Sequence, residues 1–429
     1  MELGDLSNRR TDGQKRIKIA ILGIGNRGRR YAYQIKRHGG AEITALCDKK
    51  TALLRGACQT YGVGEDMAFD SDEKFFAAGK LADALIIATQ DRDHYGHAVK
   101  ALNLGYNLLL EKPVSPVPKE CEEIASLARE KNLSVIVCHV LRYSPFYHAI
   151  KETVDSGMIG DIVSVNDTEN IGYWHFSHSY VRGNWRNEAE TGPSILAKCC
   201  HDLDIIHYFT EQKCKEVYSS GSRKLFVKEK APENAADYCL APCPHRKTCA
   251  YDVEKIYYGI TRYTVPKMSV HIKLITGLPN PKLKDLKESL KTSPYGRCVY
   301  KCDNDVVENQ NVAMLLNNGI NANLTMTAFS KGCFRRLYIS GTKGEIIGVD
   351  AQNKFRINVF GGPSKTVKVS GSGIFGHLGG DKMLIHDFLE YLNTGKTSKR
   401  ISFIDVTLES HRIAFAAEES RKTGMTIKL

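Results

Sequence analysis

The stretch IKIAILGIGNRGRR, Ile17 to Arg30, runs a short apolar strand straight into Gly23-x-Gly25-x-x-Gly28 and then into helix-compatible residues. That order is what a dinucleotide pyrophosphate needs. Gly23 permits the tight turn, Gly25 lets the backbone approach the phosphates with no Cβ in the way, and Gly28 lets the helix pack closely on the strand. The helix N-terminus, beginning with Asn26 and Arg27, then faces the negative charge. A second apolar strand, Ala41 to Cys47, ends at Asp48, twenty residues beyond Gly28. An acid there suits the ribose 2′-hydroxyl of NAD. Lys49 and Lys50 follow, and cations there also accept a 2′-phosphate, so NAD is expected with NADP left open.

Working outward, apolar strands alternate with amphipathic helices from Arg16 to about Leu141, the pattern of a parallel sheet covered on both faces. Strands are expected at Lys18–Gly23, Glu42–Cys47, Ala84–Thr89, Asn107–Leu110 and Ser134–Val140. A helix from Lys119 to Lys131 aligns Cys121, Ile124, Leu127 and Ala128 on one face. After Pro145 the pattern changes. A helix at Phe146–Ser156 precedes strand-like stretches at Ile162–Asn166, Val217–Gly221, Ser269–Leu274, Asp305–Leu316, Ala322–Phe329, Leu337–Gly341 and Phe355–Phe360. Turns such as Asn317-Asn318-Gly319 join consecutive strands, which predicts a largely antiparallel sheet. Lys382–Asn393 and Asp405–Lys422 read as closing helices, and the Lys-rich Pro279–Lys291 as an exposed insertion. The expected class is therefore α/β. A flexible tail (1–15) precedes a Rossmann NAD(P)-binding domain (16–145) and an α+β substrate and oligomerisation domain (146–429) with an open, mainly antiparallel sheet.

A chain of 429 residues exceeds one compact core of ordinary size. The apolar runs are of buried-strand length, so no membrane span is expected. The polar start, Met1 to Gln14, lacks the apolar core of a signal peptide, and a cytoplasmic protein is expected. The formal charge of +12 is spread along the chain and accompanies no recognition motif, which argues against a nucleic-acid partner. It suits steering of an anionic cofactor or substrate. Thirteen cysteines with no export signal indicate a reducing compartment and mostly free thiols.

Thr89, His94 and above all Leu110-Glu111-Lys112-Pro113 bring a resemblance into view. A strand ending in Glu-Lys-Pro some ninety residues past the glycine loop resembles the Gfo/Idh/MocA family, which includes glucose-fructose oxidoreductase and inositol dehydrogenase. Gly160-Asp161-Ile162, the loop holding Gly192, the segment Ala197-Lys-Cys-Cys-His-Asp-Leu-Asp204 and Gly341-Thr-Lys-Gly-Glu345 agree with it. The resemblance runs from about Ile17 to the C-terminus, omitting parts of Phe226 to Pro294. It implies an open antiparallel sheet beside the cofactor, often the subunit interface, and hence a homo-oligomer, dimer or tetramer. It places Thr89, His94, Glu111, Lys112 and Pro113 among the cofactor-binding residues, with Pro113 often following a cis bond in this family.

Oxidising a secondary alcohol needs a base for the hydroxyl proton while the carbon-bound hydrogen leaves as hydride. Lys112 stands at a strand end, where ligands bind in parallel sheets, and can orient a substrate hydroxyl, contact the nicotinamide ribose or act as base. Lys198 and His201, spaced i, i+3, share one helical face and form a candidate base and substrate clamp. The common family pattern is Asp-x-x-x-His, but Ala197 stands four before His201; the Lys-x-x-His spacing matches other branches of the family. His178 to Arg186 is dense in groups that bind sugars: His178, Arg182, Trp185 and Arg186, with Tyr143 and Asp202 as further substrate candidates. A buried histidine and a loop packed around Trp185 are the purely structural alternatives.

Cys239-x3-Cys243-x5-Cys249, with His245 inside, offers thiolates and an imidazole to zinc, though not at CxxC spacing; no catalytic metal is expected. Free thiols packing an insertion, or a site completed by a distant cysteine, are the alternatives. Two enzyme readings follow. One is an NAD(P)-dependent dehydrogenase acting on a secondary hydroxyl of a small-molecule sugar, polyol or sugar derivative. The other is an NAD-dependent glycoside hydrolase working by transient C3 oxidation, elimination, water addition and re-reduction. A third, non-enzymatic reading is an NAD-binding regulatory protein, against which the presence of Lys112, Lys198 and His201 argues.

Overall fold

A computed structural model describes residues 16–258, 265–278, 280–370 and 379–429. The expected N-terminal tail lies outside them, as does Pro279. The chain forms two compact units: one holds residues up to Ala149 with Val369–Leu408, the other Ile150–Lys368 with Glu409–Leu429.

The first unit is built on six parallel strands, β1 (Ile17–Leu22), β2 (Ala41–Cys47), β3 (Ala68–Phe69), β4 (Ala84–Ile87), β5 (Asn107–Leu110) and β6 (Val135–Val137). Their order is β3-β2-β1-β4-β5-β6. β1 and β4 are neighbours although two strands separate them in sequence. The crevice at their carboxyl ends is the switch point where such sheets bind ligands. Ile19 to Ile21 and Ala84 to Ile87 are fully buried. That explains why they are apolar without alternation.

Four predicted strands and the Pro118–Glu130 helix stand within a residue or two of their expected bounds. The fifth is shorter: Val140 to Tyr143 wind into a 3-10 turn. Beyond β6, Val137 N–H donates to Ser402 O and Ile136 bridges Phe403, which closes that edge of the sheet. Periodicity did not connect the Gly380–Thr394 helix with this unit. Its Leu384, Ile385, Phe388 and Leu389 nevertheless pack into one cluster with Ile19, Ile21 and Tyr143.

The second unit carries a nine-stranded sheet. Its strands are β7 (Ile162–Asn170), β8 (Cys214–Ser222), β9 (Asn309–Leu316), β10 (Asn321–Thr327), β11 (Phe334–Gly341), β12 (Gly344–Val349), β13 (Lys354–Val359), β14 (Ser364–Lys368) and β15 (Ile427–Lys428). The order is β14-β13-β12-β11-β7-β10-β9-β8-β15. Every pair is antiparallel except β7 with β10. The predicted turn joins β9 to β10, with Asn318 at φ 63° and Gly319 at φ 76°, values that Asn and Gly tolerate best. The helix Ser194–Thr210 packs on β7 and β10.

One predicted strand is wrong. Ser269–Leu274 lies in the helix Val265–Thr276, and Thr276 Oγ1 donates back to Ile272 O one turn earlier. Six residues of mixed polarity fit either period, and a strand also requires a ladder partner. The Lys-rich segment forms the helix Leu283–Thr292, whose Leu286 and Leu290 are buried beneath its lysines. Among the described residues no helix is long and apolar enough to cross a membrane.

Candidate functional site

In the first unit the glycine loop has the form its sequence implies. Gly23 sits at φ +93°, and a Cβ there would meet Ala88 O at 2.5 Å. A Cβ on Gly28 would lie 1.9 Å from Gly23 O, whereas one on Gly25 would meet nothing within 4 Å. The first and third glycines are thus required by packing. The second faces open space, the cradle a pyrophosphate fills. The helix Asn26–His38 begins there with no acid in its first turn and Lys36, Arg37 and His38 in its last. Its dipole is therefore left to attract an anion at the N-terminus. Asp48 ties this loop to β2: Ile24 N–H donates to Oδ2 at 2.6 Å and Lys50 N–H to Oδ1 at 2.8 Å. Each oxygen keeps a lone pair for a ribose hydroxyl. These features fit NAD.

Glu111 and Arg27 belong to one network. Arg27 Nε donates to Glu111 Oε1 at 2.6 Å, and its Nη2 donates to Tyr31 OH at 2.6 Å and Asp381 Oδ1 at 2.7 Å. Tyr31 OH donates to the same Glu111 oxygen at 2.5 Å. Burial pushes the Glu111 carboxyl up, but the Arg27 and Lys112 charges and these hydrogen bonds outweigh it, leaving it below the ordinary glutamate value. Arg27 thus braces the Glu-Lys-Pro turn against the helix that carries the glycine motif. The Lys112–Pro113 bond is cis. His94 is fully buried and its Nδ1 bonds Pro113 O at 2.7 Å, while its Nε2 has no partner among the described residues. Thr89 Oγ1 pairs with His97 Nδ1 at 3.1 Å. Tyr143 lies in the core cluster with its hydroxyl buried and unpaired among the described residues.

In the second unit, Lys198 and His201 do lie on one turn of the Ser194–Thr210 helix. Strand alternation supplies what faces them. Val165, Asp167 and Glu169 occupy the buried face of β7. Lys198 Nζ lies 3.2 Å from Glu169 Oε1, and Arg335 Nη2 lies 2.9 Å from Glu169 Oε2, off the hydrogen-bond line. Arg335 also holds Asp202 through Nε to Oδ1 at 2.5 Å and Nη2 to Oδ2 at 3.2 Å. Burial lowers the Lys198 ammonium, Glu169 raises it, and the balance stands above the ordinary lysine value. Lys198 is therefore a held cation. Asp167 is buried with neither oxygen bonded, and burial followed by the Asp202 charge drives its carboxyl well above the usual range. Its protonated form is favoured in the fold. Glu169, Asp167 and Arg335 were not singled out from sequence; the two acids lie just past the predicted strand Ile162–Asn166, and the observed strand runs on to Asn170, which puts them at i, i+2 on one face.

The segment His178 to Arg186 is not an open loop. Ser177–Arg182 forms a widened helical turn with every residue buried. His178 Nδ1 bonds Tyr257 OH at 2.8 Å, and its ring stacks on Tyr295 at 4.7 Å. Burial, then His271 and Arg182, push this imidazole well below its ordinary value. Arg182 donates to the carbonyls of Arg297 and Tyr251. Trp185 is half-buried beside Tyr180, and Arg186 is paired with Asp303 at 2.9 Å. Asp202 is likewise engaged by Arg335. His178 Nδ1, Arg182 Nε and Nη2, and both Asp202 oxygens are thus bonded to protein groups.

Two family models match the chain: an oxidoreductase family with an NAD-binding Rossmann fold over residues 17–139, and the C-terminal alpha/beta domain of the same family over 151–429. The chain belongs to the Gfo/Idh/MocA oxidoreductase family. Among relatives, inositol 2-dehydrogenase of Salmonella typhimurium is 27% identical over 207 residues, 47% of this chain and 56% of that protein. The 2,7-anhydro-N-acetylneuraminate hydratase of Mediterraneibacter gnavus is 24% identical over 210 residues, 48% of this chain and 53% of that protein. The chain thus spans about half the length of these two relatives. Over nearly the whole chain the fold is that of a levoglucosan dehydrogenase solved with NADH and levoglucosan, with TM-score 0.71, 14% identity and coverage of 96% of this chain and 99% of that one. The first unit of this Gfo/Idh/MocA protein carries the family's NAD-binding Rossmann fold.

Proposed function

We propose that the chain is an NAD-dependent dehydrogenase acting on a secondary hydroxyl of a sugar, polyol or sugar derivative. The observation that carries the reading is the half-buried Lys198 ammonium, held by Glu169 one helical turn from His201, in a chain whose other unit has the NAD-binding fold. Bound NAD supplies the hydride acceptor. Lys198, fixed as a cation, orients the hydroxyl and stabilises negative charge developing on its oxygen. His201 takes the hydroxyl proton. Lys112, next to the braced Glu111, contacts the nicotinamide ribose and the reacting hydroxyl. Trp185 and Tyr143 remain candidates for substrate contact. The inositol and levoglucosan dehydrogenases among the similar proteins support a polyhydroxylated substrate.

A second reading has one supporting observation, the likeness to a hydratase of an anhydro-sugar. In it the same groups serve C3 oxidation, elimination, water addition and re-reduction of a glycoside, with no net change in NAD. The deciding experiment supplies NAD with a panel of free sugars, polyols and glycosides, following reduced-cofactor absorbance and aglycone release. Reduced NAD accumulating with a free sugar or polyol supports the dehydrogenase. Aglycone release without net NADH, abolished when NAD is removed, replaces it with the redox hydrolase.

A further inference from the structure

The segment between β8 and β9 brings four cysteines around one small cavity. Cys239, Cys243, Cys249 and Cys298 all line it, and its volume is about 30 Å³. Backbone bonds fix the arrangement. Cys239 N–H donates to Gly296 O at 2.8 Å and Cys298 N–H to Asp237 O at 2.7 Å, so an antiparallel bridge sets the distant Cys298 beside Cys239. Cys249 N–H donates to His245 O at 2.8 Å, which curls the short segment from Cys243 back on itself.

His245 and Asp252 also line the cavity. His245 Nε2 bonds Glu233 O at 2.7 Å, and Asp252 holds Arg246 at 3.1 Å and the Glu254 amide at 2.9 Å. All four cysteines are free thiols. The four sulfurs form the donor set, with the His245 ring oriented by its bond to Glu233 O.

Charge gives an independent indication. Arg182 is fully buried, and its bonds go to the carbonyl oxygens of Arg297 and Tyr251 and to Cys239 Sγ at 3.5 Å. Its Nη1 has no partner, and among the described residues no carboxylate pairs with it. A buried guanidinium without a counter-anion is costly. A tetrathiolate zinc site carries a net charge of −2, and Cys239 would bring that charge into contact with Arg182.

We propose that Cys239, Cys243, Cys249 and Cys298 bind one Zn²⁺ as a structural tetrathiolate site that staples this segment to the Ser177–Arg182 turn. Among the described residues no three ligating side chains stand at coordination distance. Protonated thiols do not chelate. Binding exchanges four S–H protons, released to solvent, for four Zn–S bonds of about 2.3 Å, with no change of oxidation state.

The test is metal analysis of the full chain purified under reducing conditions without chelator, then incubated with Zn²⁺ and desalted. One zinc per chain is expected. Replacement by Co²⁺ should give the thiolate charge-transfer and tetrahedral absorption of a four-sulfur site. Cys298→Ser and Cys243→Ser should lose the metal, and Cys302→Ser, whose thiol donates to Cys298 O, should keep it. Should the serine variants fail to fold, limited proteolysis of the wild-type chain decides. Cleavage between residues 223 and 308 should appear with chelator and disappear when zinc is restored. Absence of zinc after reconstitution, iron with visible cluster absorption, a Cys239–Cys298 disulfide, or proteolysis indifferent to zinc would each overturn the assignment.

Discussion

Glu169 bridges two cations: one carboxylate oxygen lies 3.2 Å from Lys198 Nζ and the other 2.9 Å from Arg335 Nη2. Because Arg335 also grips Asp202, charges alternate along Lys198, Glu169, Arg335 and Asp202. The row favours a positive Lys198, which separates its role from that of a proton acceptor. Lys198→Met should lower kcat by about 10²- to 10³-fold, the scale of removing a preorganised electrostatic donor, with a smaller change in KM. Lys198→Arg should recover part of the loss. Steady-state kinetics on an identified substrate checks this, and an unchanged kcat in the Met variant would remove Lys198 from the chemistry.

The three glycines should separate by experiment. Gly25→Ala places a methyl in open space, so the apo protein should melt as wild type while NAD affinity drops at least about tenfold, or 1.4 kcal/mol. Gly28→Ala sets a Cβ 1.9 Å from Gly23 O and should destabilise the fold itself. Thermal melts with and without NAD, beside calorimetric titration, distinguish the two. A Gly25→Ala protein that binds NAD normally would contradict the assigned cradle.

Glu111 should stabilise the first unit in a pH-dependent way. Its folded value is depressed, so its contribution is full above the unfolded value near 4.3 and is lost as pH falls through the folded one. Glu111→Gln should cost roughly 2 kcal/mol at pH 7. That is below the ~3–5 kcal/mol of a fully buried pair, because the Arg27 side chain keeps 20% exposure. Urea unfolding from pH 7 downward should show the two proteins converging on the acid side of 4.3; a constant gap would assign the cost to packing.

Asp167 has the opposite sign. Its folded value is raised, so the protonated form is favoured in the fold, and stability falls as pH rises from the unfolded value near 3.9 toward the folded one. Asp167→Asn removes that dependence while keeping the shape. The variant should gain on wild type in denaturant midpoints as pH rises above the unfolded value, and the gain should level off once the folded carboxyl ionises. A pH-independent difference would mean that Asp167 ionises freely in the folded chain.

What could be read in advance differs sharply between the two halves of the candidate site. The glycine loop, Asp48 and the Glu-Lys-Pro turn are short segments whose geometry their own residues dictate, through steric demands of Cβ atoms and strand ends. Lys198 and His201 were legible for the same reason, since i, i+3 spacing on a helix fixes a shared face. Glu169 and Arg335 were missed because their roles depend on β7 and β11 pairing. Alternation placed Glu169 with Asp167, but only the register opposing Arg335 to Glu169 brings the guanidinium to it. The burial of His178 and Arg182 was not legible, because residue type does not say which side of a turn faces protein.

By itself, the sequence determined the parallel nucleotide-binding sheet, its phosphate grip and the mainly antiparallel sheet that follows. Those depend on periodicity and on local backbone limits, which act within a few residues. Tertiary structure decided that the Gly380–Thr394 helix packs with β1, that Glu169 holds Lys198, and that Cys298 joins three cysteines far from it in the chain. Each of these joins residues from distant segments. Such contacts form only once strand order and register are set, and no spacing within a single segment encodes them.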